Sequence, residues 1–251
     1  MKIQSELNHY NHLYADSDYP TETAAACLLQ DHYFKTIKNS AVKYQQADVL
    51  SIGSGTGYYE IKLAPMVKSV TCIELSETAV SKARNKADGL GLSNIHFIQG
   101  NGLTFHEFLP DKKFDMVLVL GFLHHISDRE MEKIFSDVYT QLNPHGTVIS
   151  MDPNHFRALG LLKCFIKPLI QKYHSSEERE LKPHQIKKRF EKFHYNSVRI
   201  AYADYFLNPL VWVFPKISPR LIQWLLPMDR FLTSIPIIRF FSNLFVCVAR
   251  K

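Results

Sequence analysis

Short apolar runs and amphipathic segments alternate regularly in the first two thirds of the chain. The apolar runs predict strands over 48–52, 70–73, 95–98, 114–120 and 146–151. Segments with helical periodicity follow the first four of them, over 58–67, 77–89, 104–108 and 128–142. Strands that alternate with helices at this interval build a parallel sheet with helices on both faces. The pattern therefore predicts a doubly wound α/β fold.

Two further regions flank this alternating part. Residues 1–40 are predicted to be mainly helical, with an interruption at Asp16-Ser17-Asp18. On the other side, Pro183 is expected to open a helix over 184–193, as a first-turn proline does. Two more strands are predicted over 197–203 and 245–250.

The segment between these last two strands, residues 204–243, is rich in large apolar side chains. Five prolines divide it into short pieces, and cationic residues interrupt it throughout. No window in it reaches the ~20 apolar residues of a membrane-spanning helix. Short apolar helices with arginines and tryptophans can lie in a membrane interface. They can equally form a lid over an apolar substrate pocket or a plain structural cap, and the pattern leaves all three open.

A glycine-rich turn follows the first predicted strand. Gly53, Gly55 and Gly57 stand at alternate positions, where glycine lets the backbone turn sharply and a ligand lie against it. A dinucleotide fingerprint would need a small residue in place of Tyr58, and no P-loop lysine follows. An ordinary tight turn is the alternative for such a motif alone. However, the next strand ends at Glu74, where a carboxylate can accept both hydroxyls of a ribose.

From here the chain resembles the class I S-adenosylmethionine-dependent methyltransferases, over roughly residues 40–155. The resemblance is carried, in order, by the Gly53–Gly57 turn, Glu74, Gln99-Gly100-Asn101-Gly102, the run from Phe114 to His124-His125, and Leu142-Asn143-Pro144-His145-Gly146. It implies a Rossmann-like, mostly parallel seven-stranded sheet and S-adenosylmethionine as the cofactor. It also implies an antiparallel pair that ends the sheet, with a C-terminal helical cap inserted in that pair.

The resemblance further implies which residues bind the cofactor. These are Gly53, Ser54, Gly55, Gly57, Glu74, Leu75, Asn101, Gly102 and Leu120. Two positions depart from the family. Ser51 stands where an acid is common, so that a carboxylate is missing near the cofactor's ammonium. Asn101 replaces an aspartate, although its amide oxygen can still accept a hydrogen bond from adenine.

Candidate residues for the methyl acceptor come from three places. His125, after the fourth strand, is the candidate general base, although a structural role is the alternative for this His-His pair. Tyr10 and Tyr14 are candidates for lining the substrate entrance, or for packing an amphipathic helix. Asn154 and His155, just past the fifth strand, are candidates for the substrate pocket. No Asn-Pro-Pro-aromatic tetrapeptide follows the fourth strand, which disfavours DNA and glutamine acceptors.

Length and composition place these features in one domain. A chain of 251 residues suffices for one α/β domain with an appended cap. We expect a helical segment over the cofactor site at 1–40, the methyltransferase core at 41–203 and 244–251, and the cap at 204–243. The four cysteines are scattered without metal-type spacing, so we expect reduced thiols and no metal site. No apolar run opens the sequence, so we expect no signal peptide and a cytoplasmic protein.

Charge divides the chain unevenly. Residues 1–154 carry 13 Lys and Arg against 18 Asp and Glu, whereas residues 155–251 carry 17 against 6. A basic half of this kind suggests an anionic partner, either a membrane surface or nucleic acid. No RNA-binding signature accompanies it, so nucleic acid is disfavoured and peripheral contact with the inner face of an anionic membrane is the expectation.

Together these patterns predict an S-adenosylmethionine-dependent methyltransferase that acts on a small, hydrophobic or lipid-like acceptor. Two alternatives stay open. The departures at Ser51 and Asn101 would fit a cofactor-binding protein with weak or no turnover. The basic C-terminal half would fit an RNA-directed methyltransferase.

Overall fold

A single sheet forms the centre of the protein. The structure, a computed structural model, describes residues 2–16, 19–41, 46–158, 160, 168, 170–175 and 178–251. Within these ranges the sheet has seven strands: β1 (Asp48–Ile52), β2 (Ser69–Glu74), β3 (Ile95–Gln99), β4 (Phe114–Leu120), β5 (Leu142–Pro153), β6 (Ser197–Ala203) and β7 (Leu244–Arg250). Their order is β3-β2-β1-β4-β5-β7-β6. The predicted α/β sheet is thus confirmed.

All pairs are parallel except those of β7, which runs antiparallel to both β5 and β6. The strand order reverses between β1 and β4. In open α/β sheets, ligands bind beyond the carboxyl ends of the strands at such a reversal. The glycine turn after β1 therefore lies where the topology favours a ligand.

Helices cover both faces of the sheet. Their bounds are α1 (Lys2–Ala15), α2 (Ala24–Ala41), α3 (Tyr58–Leu63), α4 (Glu77–Gly89), α5 (Phe105–Phe108), α6 (Asp128–Gln141), α7 (Pro183–Lys192), α8 (Leu207–Val213) and α9 (Pro219–Ser234). The helix predicted over 58–67 ends early, because Pro65 has no N–H to continue it and Ala64–Met66 forms a 3₁₀ turn. The predicted helix at 104–108 likewise begins as a 3₁₀ turn, Gly102–Thr104.

Alternate residues of each central strand point into two separate apolar layers. Val49 and Leu118 pack on the face covered by α2, α3 and α4, whereas Leu50 and Val117 pack on the face covered by α6 and α7. The cap joins the first layer through Leu207 and Val211 of α8 and Ile222 of α9. The cap helices therefore extend the α2 side of the molecule.

The segment from 204 to 243 folds as α8, α9 and a 3₁₀ turn (Ile238–Phe241) between β6 and β7. Asp229 of α9 anchors it, because its carboxylate accepts the backbone N–H groups of Tyr205 and Phe206 at 2.9–3.1 Å. Asp204 caps α8 by accepting the N–H of Asn208 at 2.8 Å. In the described part of the chain, no helix combines the length and apolarity that crossing a bilayer requires.

Some residues named in the sequence analysis fall outside this description. Ser17 and Asp18, at the predicted interruption of the N-terminal helical region, are not described, and neither is Cys164. Cys27, Cys72 and Cys247 are free thiols.

Candidate functional site

A cavity of about 130 Å³ opens at the carboxyl ends of β1, β2 and β4. Helix α1 forms one wall, with Ile3, Glu6, Tyr10 and Tyr14. The strand ends and the loops after them form the rest, with Gly53, Glu74, Leu75, Asn101, Gly102, Phe122 and His125 among them. Eight of the residues predicted for cofactor, acceptor entrance or catalysis thus line this cavity: Tyr10, Tyr14, Gly53, Glu74, Leu75, Asn101, Gly102 and His125.

The three glycines of the turn all have a positive φ, between 55° and 74°. A Cβ on Gly53 would stand 2.7 Å from the Phe122 ring, and one on Gly55 would stand 2.8 Å from the Tyr14 hydroxyl oxygen. Both glycines therefore face side chains of the cavity wall. A Cβ on Gly57 would meet the Phe97 ring at 2.7 Å. Gly57 thus lets α3 approach β3 closely, which is a packing role.

Glu74 holds the turn in place from the end of β2. Its Oε2 accepts the N–H of Gly55 at 2.8 Å, and its Oε1 accepts the N–H of Ser76 at 2.9 Å. Burial raises the pKa of this carboxyl, while the backbone hydrogen bonds lower it. A carboxylate has about four lone-pair sites, so two remain for further donors. Glu74 can accept a diol while it continues to fix the turn.

Glu60 is a residue that sequence reasoning missed. It lies in the first turn of α3, fully buried, and its Oε1 accepts a hydrogen bond from the hydroxyl of Ser51 at 2.6 Å. Burial raises the pKa of Glu60 to about 7. Its Oε2 has no hydrogen-bond partner among the described residues. A carboxyl is therefore present beside Ser51, supplied by the following helix. An acid three positions after Gly57, facing the strand, was the available signal.

The Asn101 side chain serves first as a helix cap. Its amide oxygen accepts the N–H of Leu103 at 2.9 Å at the start of the 3₁₀ turn. An amide oxygen has two lone pairs, so one acceptor site remains toward the cavity.

Helix α1 is fastened over the cavity by Asn11. The Asn11 amide oxygen accepts the hydroxyl of Ser76 at 2.6 Å and the N–H of Thr78 at 3.3 Å. Ser76 is itself the N-cap of α4. This contact joins α1 to the start of α4, beside Glu74, and so places Tyr10 and Tyr14 in the wall.

The two histidines after β4 have different surroundings. The Nδ1 of His124 lies 3.0 Å from the Oδ1 of Asp152, and burial lowers the pKa of His124 to about 4. His125 borders the cavity, and its ring nitrogens lie 3.3 and 3.4 Å from the Tyr10 hydroxyl. Burial holds the pKa of His125 well below 6.5, and the adjacent His124 imidazole lowers it further. Both imidazoles are therefore neutral near pH 7.

Glu178 completes this group, although no local sequence pattern points to it. Its Oε1 accepts the Tyr10 hydroxyl at 3.2 Å, and its Oε2 contacts Nδ1 of His174. Burial alone would raise the pKa of Glu178, but the hydrogen bond and charge of His174 lower it to about 2. A carboxylate is thus held behind the Tyr10–His125 contact.

Six predicted residues do not border the cavity as the structure describes it: Ser54, Gly55, Gly57, Leu120, Asn154 and His155. The Asn154 side chain is fully buried, donates to the carbonyls of Phe240 and Ser242 at 2.9 Å each, and accepts the N–H of Phe156. It ties the end of β5 to the entry of β7, which is a structural role. His155 is half exposed, 4.0 Å from Glu180. Both residues therefore lie apart from the predicted substrate pocket.

A series of aromatic rings leads from the cavity to the cap. Tyr10 and Tyr14 have ring centroids 6.0 Å apart, Tyr14 and Tyr19 are 5.5 Å apart, and Tyr19 and Trp212 are 5.9 Å apart. Tyr173 packs against both Tyr19 and Trp212. One side of the cavity therefore continues into a series of packed aromatic rings, and Trp212 of α8 lies at the far end of this series. Within the described ranges, no cluster of three or more potential ligands that could hold a metal ion is found.

Comparison with known proteins agrees with this geometry. Residues 49–146 match the model of a family described as methyltransferase domain. An uncharacterized methyltransferase of Anoxybacillus flavithermus is 30% identical over 119 residues, 47% of this chain and 53% of the relative. The chain spans about half the length of the curated relatives it matches.

Solved structures resemble nearly the whole chain. A SAM-dependent methyltransferase from Archaeoglobus fulgidus has a TM-score of 0.61 at 15% identity, covering 88% of this chain and 94% of that one. DhpI in complex with SAH has a TM-score of 0.63 at 17% identity, covering 99% and 96%. At such identities the likeness establishes the fold.

Proposed function

We propose that this chain, whose residues 49–146 match a methyltransferase-domain family and whose fold resembles that of S-adenosylmethionine-dependent methyltransferases, transfers the methyl group of S-adenosylmethionine to a small, apolar or lipid-like acceptor. The observation that carries the acceptor class is the aromatic series Tyr10–Tyr14–Tyr19–Trp212, which joins the cavity to the apolar cap. Aromatic side chains on one side of a cavity favour the apolar part of a ligand, whereas the polar groups Glu74 and Asn101 are assigned here to the cofactor.

The residues around the glycine turn fit the cofactor. Gly53 and Gly55 leave the backbone of the turn bare, as a cradle over which the side chains of Phe122 and Tyr14 lie. A ligand that displaces those side chains can lie against the same backbone. Glu74 retains lone pairs for the ribose hydroxyls, and Asn101 retains one for the adenine amino group. Glu60, with its unpartnered Oε2, is the carboxyl that suits the ammonium, since a cation beside it would lower its raised pKa and favour the charged form. When bound, the cofactor supplies a methyl group already activated on a sulfonium.

The protein's own contribution is then alignment and proton removal. Holding an acceptor in line with the sulfonium supplies most of the acceleration of a methyl transfer. We propose that the acceptor lies between Tyr14 and His125, where the neutral imidazole of His125 can take its proton. The Tyr10 hydroxyl, held by Glu178, orients the ring of His125 and stabilises the charge that the proton brings.

The test uses a deuteromethyl-labelled cofactor. The protein is incubated with metabolite, lipid, RNA and protein fractions, and mass spectrometry follows the label. We expect it in an apolar small molecule or a lipid, and in no fraction with Gly55→Arg, whose side chain would fill the cradle. Label confined to RNA or protein would overturn the acceptor class. Cofactor binding by calorimetry with no labelled product in any fraction would instead identify a binding protein.

A further inference from the structure

One face of α9 exposes a continuous stripe of large apolar side chains. Leu221, Trp224, Met228 and Phe231 recur at intervals of three and four, which places them on one side of a helix. Their exposed fractions are 44%, 76%, 50% and 64%. We call these four residues the docking face. Large exposed apolar patches on a folded protein mark interaction sites.

This exposure does not come from a loosely attached helix. On its other side, α9 buries Ile222 in the main core and Asp229 against the backbone of Tyr205 and Phe206. Leu225 and Leu226 pack against the same core. The docking face is therefore presented by a helix that the fold holds in place.

The neighbouring parts of the cap continue the apolar surface. Phe214 before α9 is 58% exposed, and Ile237 after it is 76% exposed. Phe240 and Phe241 in the following 3₁₀ turn are also exposed. Single exposed apolar side chains are common on folded domains, whereas so many large ones within one segment are not.

The charges around the docking face have one sign. Residues 205–243, all of which the structure describes, carry Lys216, Arg220, Arg230 and Arg239, and each of these is exposed. The one acid in the same range is Asp229, which is buried. Within this segment the exposed charges are therefore all cationic, which is complementary to an anionic partner.

From this conjunction we propose that the docking face binds an anionic phospholipid bilayer, with Trp224 and Phe231 inserted among the lipids and the arginines at the headgroups. Long cationic side chains keep an apolar stem in the interface and the charge in water, and tryptophan favours the same depth. Each arginine near the surface adds electrostatic attraction. A second copy is a poorer partner, because a two-fold interface would bring two copies of the same cationic segment together. The inference does not depend on the identity of the methyl acceptor.

Co-flotation with vesicles tests the proposal. We expect the protein to float with vesicles of phosphatidylcholine mixed with phosphatidylglycerol, less with phosphatidylcholine alone, and less again at high salt. Trp224→Ser should weaken binding about tenfold, since one large aromatic contributes that order on leaving water. Leu90→Ser, on the exposed end of α4, is the matched control and should bind as the wild type does. The triple replacement of Arg220, Arg230 and Arg239 by Ser should remove the preference for anionic lipid.

Fluorescence gives a second readout, because the chain has two tryptophans. Trp212 packs among Tyr19, Tyr173 and His174 and donates to Asn208. A blue shift on adding anionic vesicles should therefore be lost in Trp224→Ser, in which Trp212 alone emits. A protein that stays unbound with anionic vesicles at low salt overturns the proposal. So does unchanged binding of Trp224→Ser, or a dimer that the same substitution converts to a monomer without any vesicle binding.

Discussion

Two buried carboxyl groups stand beside the glycine turn, and each has its own task. Glu74 fixes the turn through the N–H groups of Gly55 and Ser76. Glu60 bonds the hydroxyl of Ser51 beneath the turn. At the scale of single residues, the site thus depends on Glu74, which fixes the backbone of the turn, and on Glu60, which links α3 to β1.

Glu74→Gln should weaken cofactor binding by about tenfold or more. The amide has one acceptor oxygen in place of two, so either a backbone N–H or a ribose hydroxyl loses a charge-assisted hydrogen bond of about 1.5–3 kcal/mol. Calorimetry with S-adenosylmethionine measures the change. Glu77→Gln, an exposed acid in the first turn of α4, is the matched control and should leave affinity unchanged. Equal affinities for the two variants would remove Glu74 from the site.

Ser51→Asp should destabilise the protein. From the sequence alone, this change is expected to tighten cofactor binding by restoring a missing acid. In the structure, Ser51 is buried and donates to Glu60 at 2.6 Å, so an aspartate would place two carboxyl groups side by side without a donor. We expect a loss of about 3 kcal/mol or more in the free energy of unfolding. Ser51→Ala should lose less, about 1–3 kcal/mol for one hydrogen bond. Tighter cofactor binding at undiminished stability would contradict this role of Glu60.

His125→Ala should lower kcat in the labelled-methyl assay by about 100-fold or more, with cofactor affinity nearly unchanged, if its imidazole takes the proton. Burial holds the pKa of His125 well below 6.5, so the acid limb of kcat/KM should also lie well below pH 6.5. Tyr10→Phe keeps the ring against His125 but removes the hydroxyl that bonds it. That variant should shift the acid limb while keeping most of the rate. A loss of less than about threefold in His125→Ala would assign the histidine a structural role.

At the scale of elements, α1 controls access to the cavity. The Tyr14 hydroxyl lies against Gly55, and the Asn11 contact fastens the helix to the start of α4. We therefore expect a cofactor that lies against the turn to enter or leave when α1 moves.

Asn11→Ala should therefore speed cofactor release about fivefold, since one hydrogen bond contributes about 1 kcal/mol. Stopped-flow displacement of bound S-adenosylmethionine measures the rate. Asn8→Ala, an exposed change one turn earlier on the same helix, should leave it unaltered, because the Asn8 amide bonds Gln4 within α1. If both variants release the cofactor at the wild-type rate, α1 is not the gate.

Elements with strong local signals were predictable, and contacts between distant residues were not. The bounds of β1, β4 and α4 follow directly from an apolar run or a capped amphipathic segment. By contrast, the Ser51–Glu60 bond and the Asn154 contacts with Phe240 and Ser242 exist only after tertiary packing. In α9 both faces are apolar, so periodicity could not tell which side would be buried.

At the scale of the whole molecule, buried acids and histidines shape the response to pH. Burial raises the pKa of Asp204, and the nearby charge of Asp229 raises it further. The Asp204 carboxyl therefore stays protonated to a higher pH in the folded protein than in the unfolded chain. Stability from this group is present below its ordinary pKa of 3.8 and is lost as pH rises. His124 acts oppositely: its pKa falls from 6.5 to about 4, so stability is lost as pH falls through that window.

Asp204→Asn should reduce the loss of folding stability that the wild type shows as the pH rises above the ordinary pKa of an aspartate. The amide oxygen can still accept the N–H of Asn208, while the second buried charge beside Asp229 disappears. Urea unfolding at a series of pH values measures the free energy of unfolding. Relative to the wild type, this free energy should increase in the variant as the pH rises above the ordinary pKa of a carboxyl group. Asp111→Asn, at an exposed position, should run parallel to the wild type. Parallel curves for Asp204→Asn as well would mean that the buried pair carries no proton linkage.

The placement of β7 also affects how the chain is made. Among the described strands, β6 pairs with β7 alone, and β7 also forms the link to β5. A chain leaving the ribosome therefore presents β6 and then all of 204–243 before the strand that joins them to the sheet exists. During that interval the side of residues 204–243 that is buried in the finished protein has no completed sheet to pack against, and the apolar outer side is exposed as well. Synthesis of this protein thus passes through a stage at which a chaperone, or a nearby membrane, meets more apolar surface than the finished molecule ever shows.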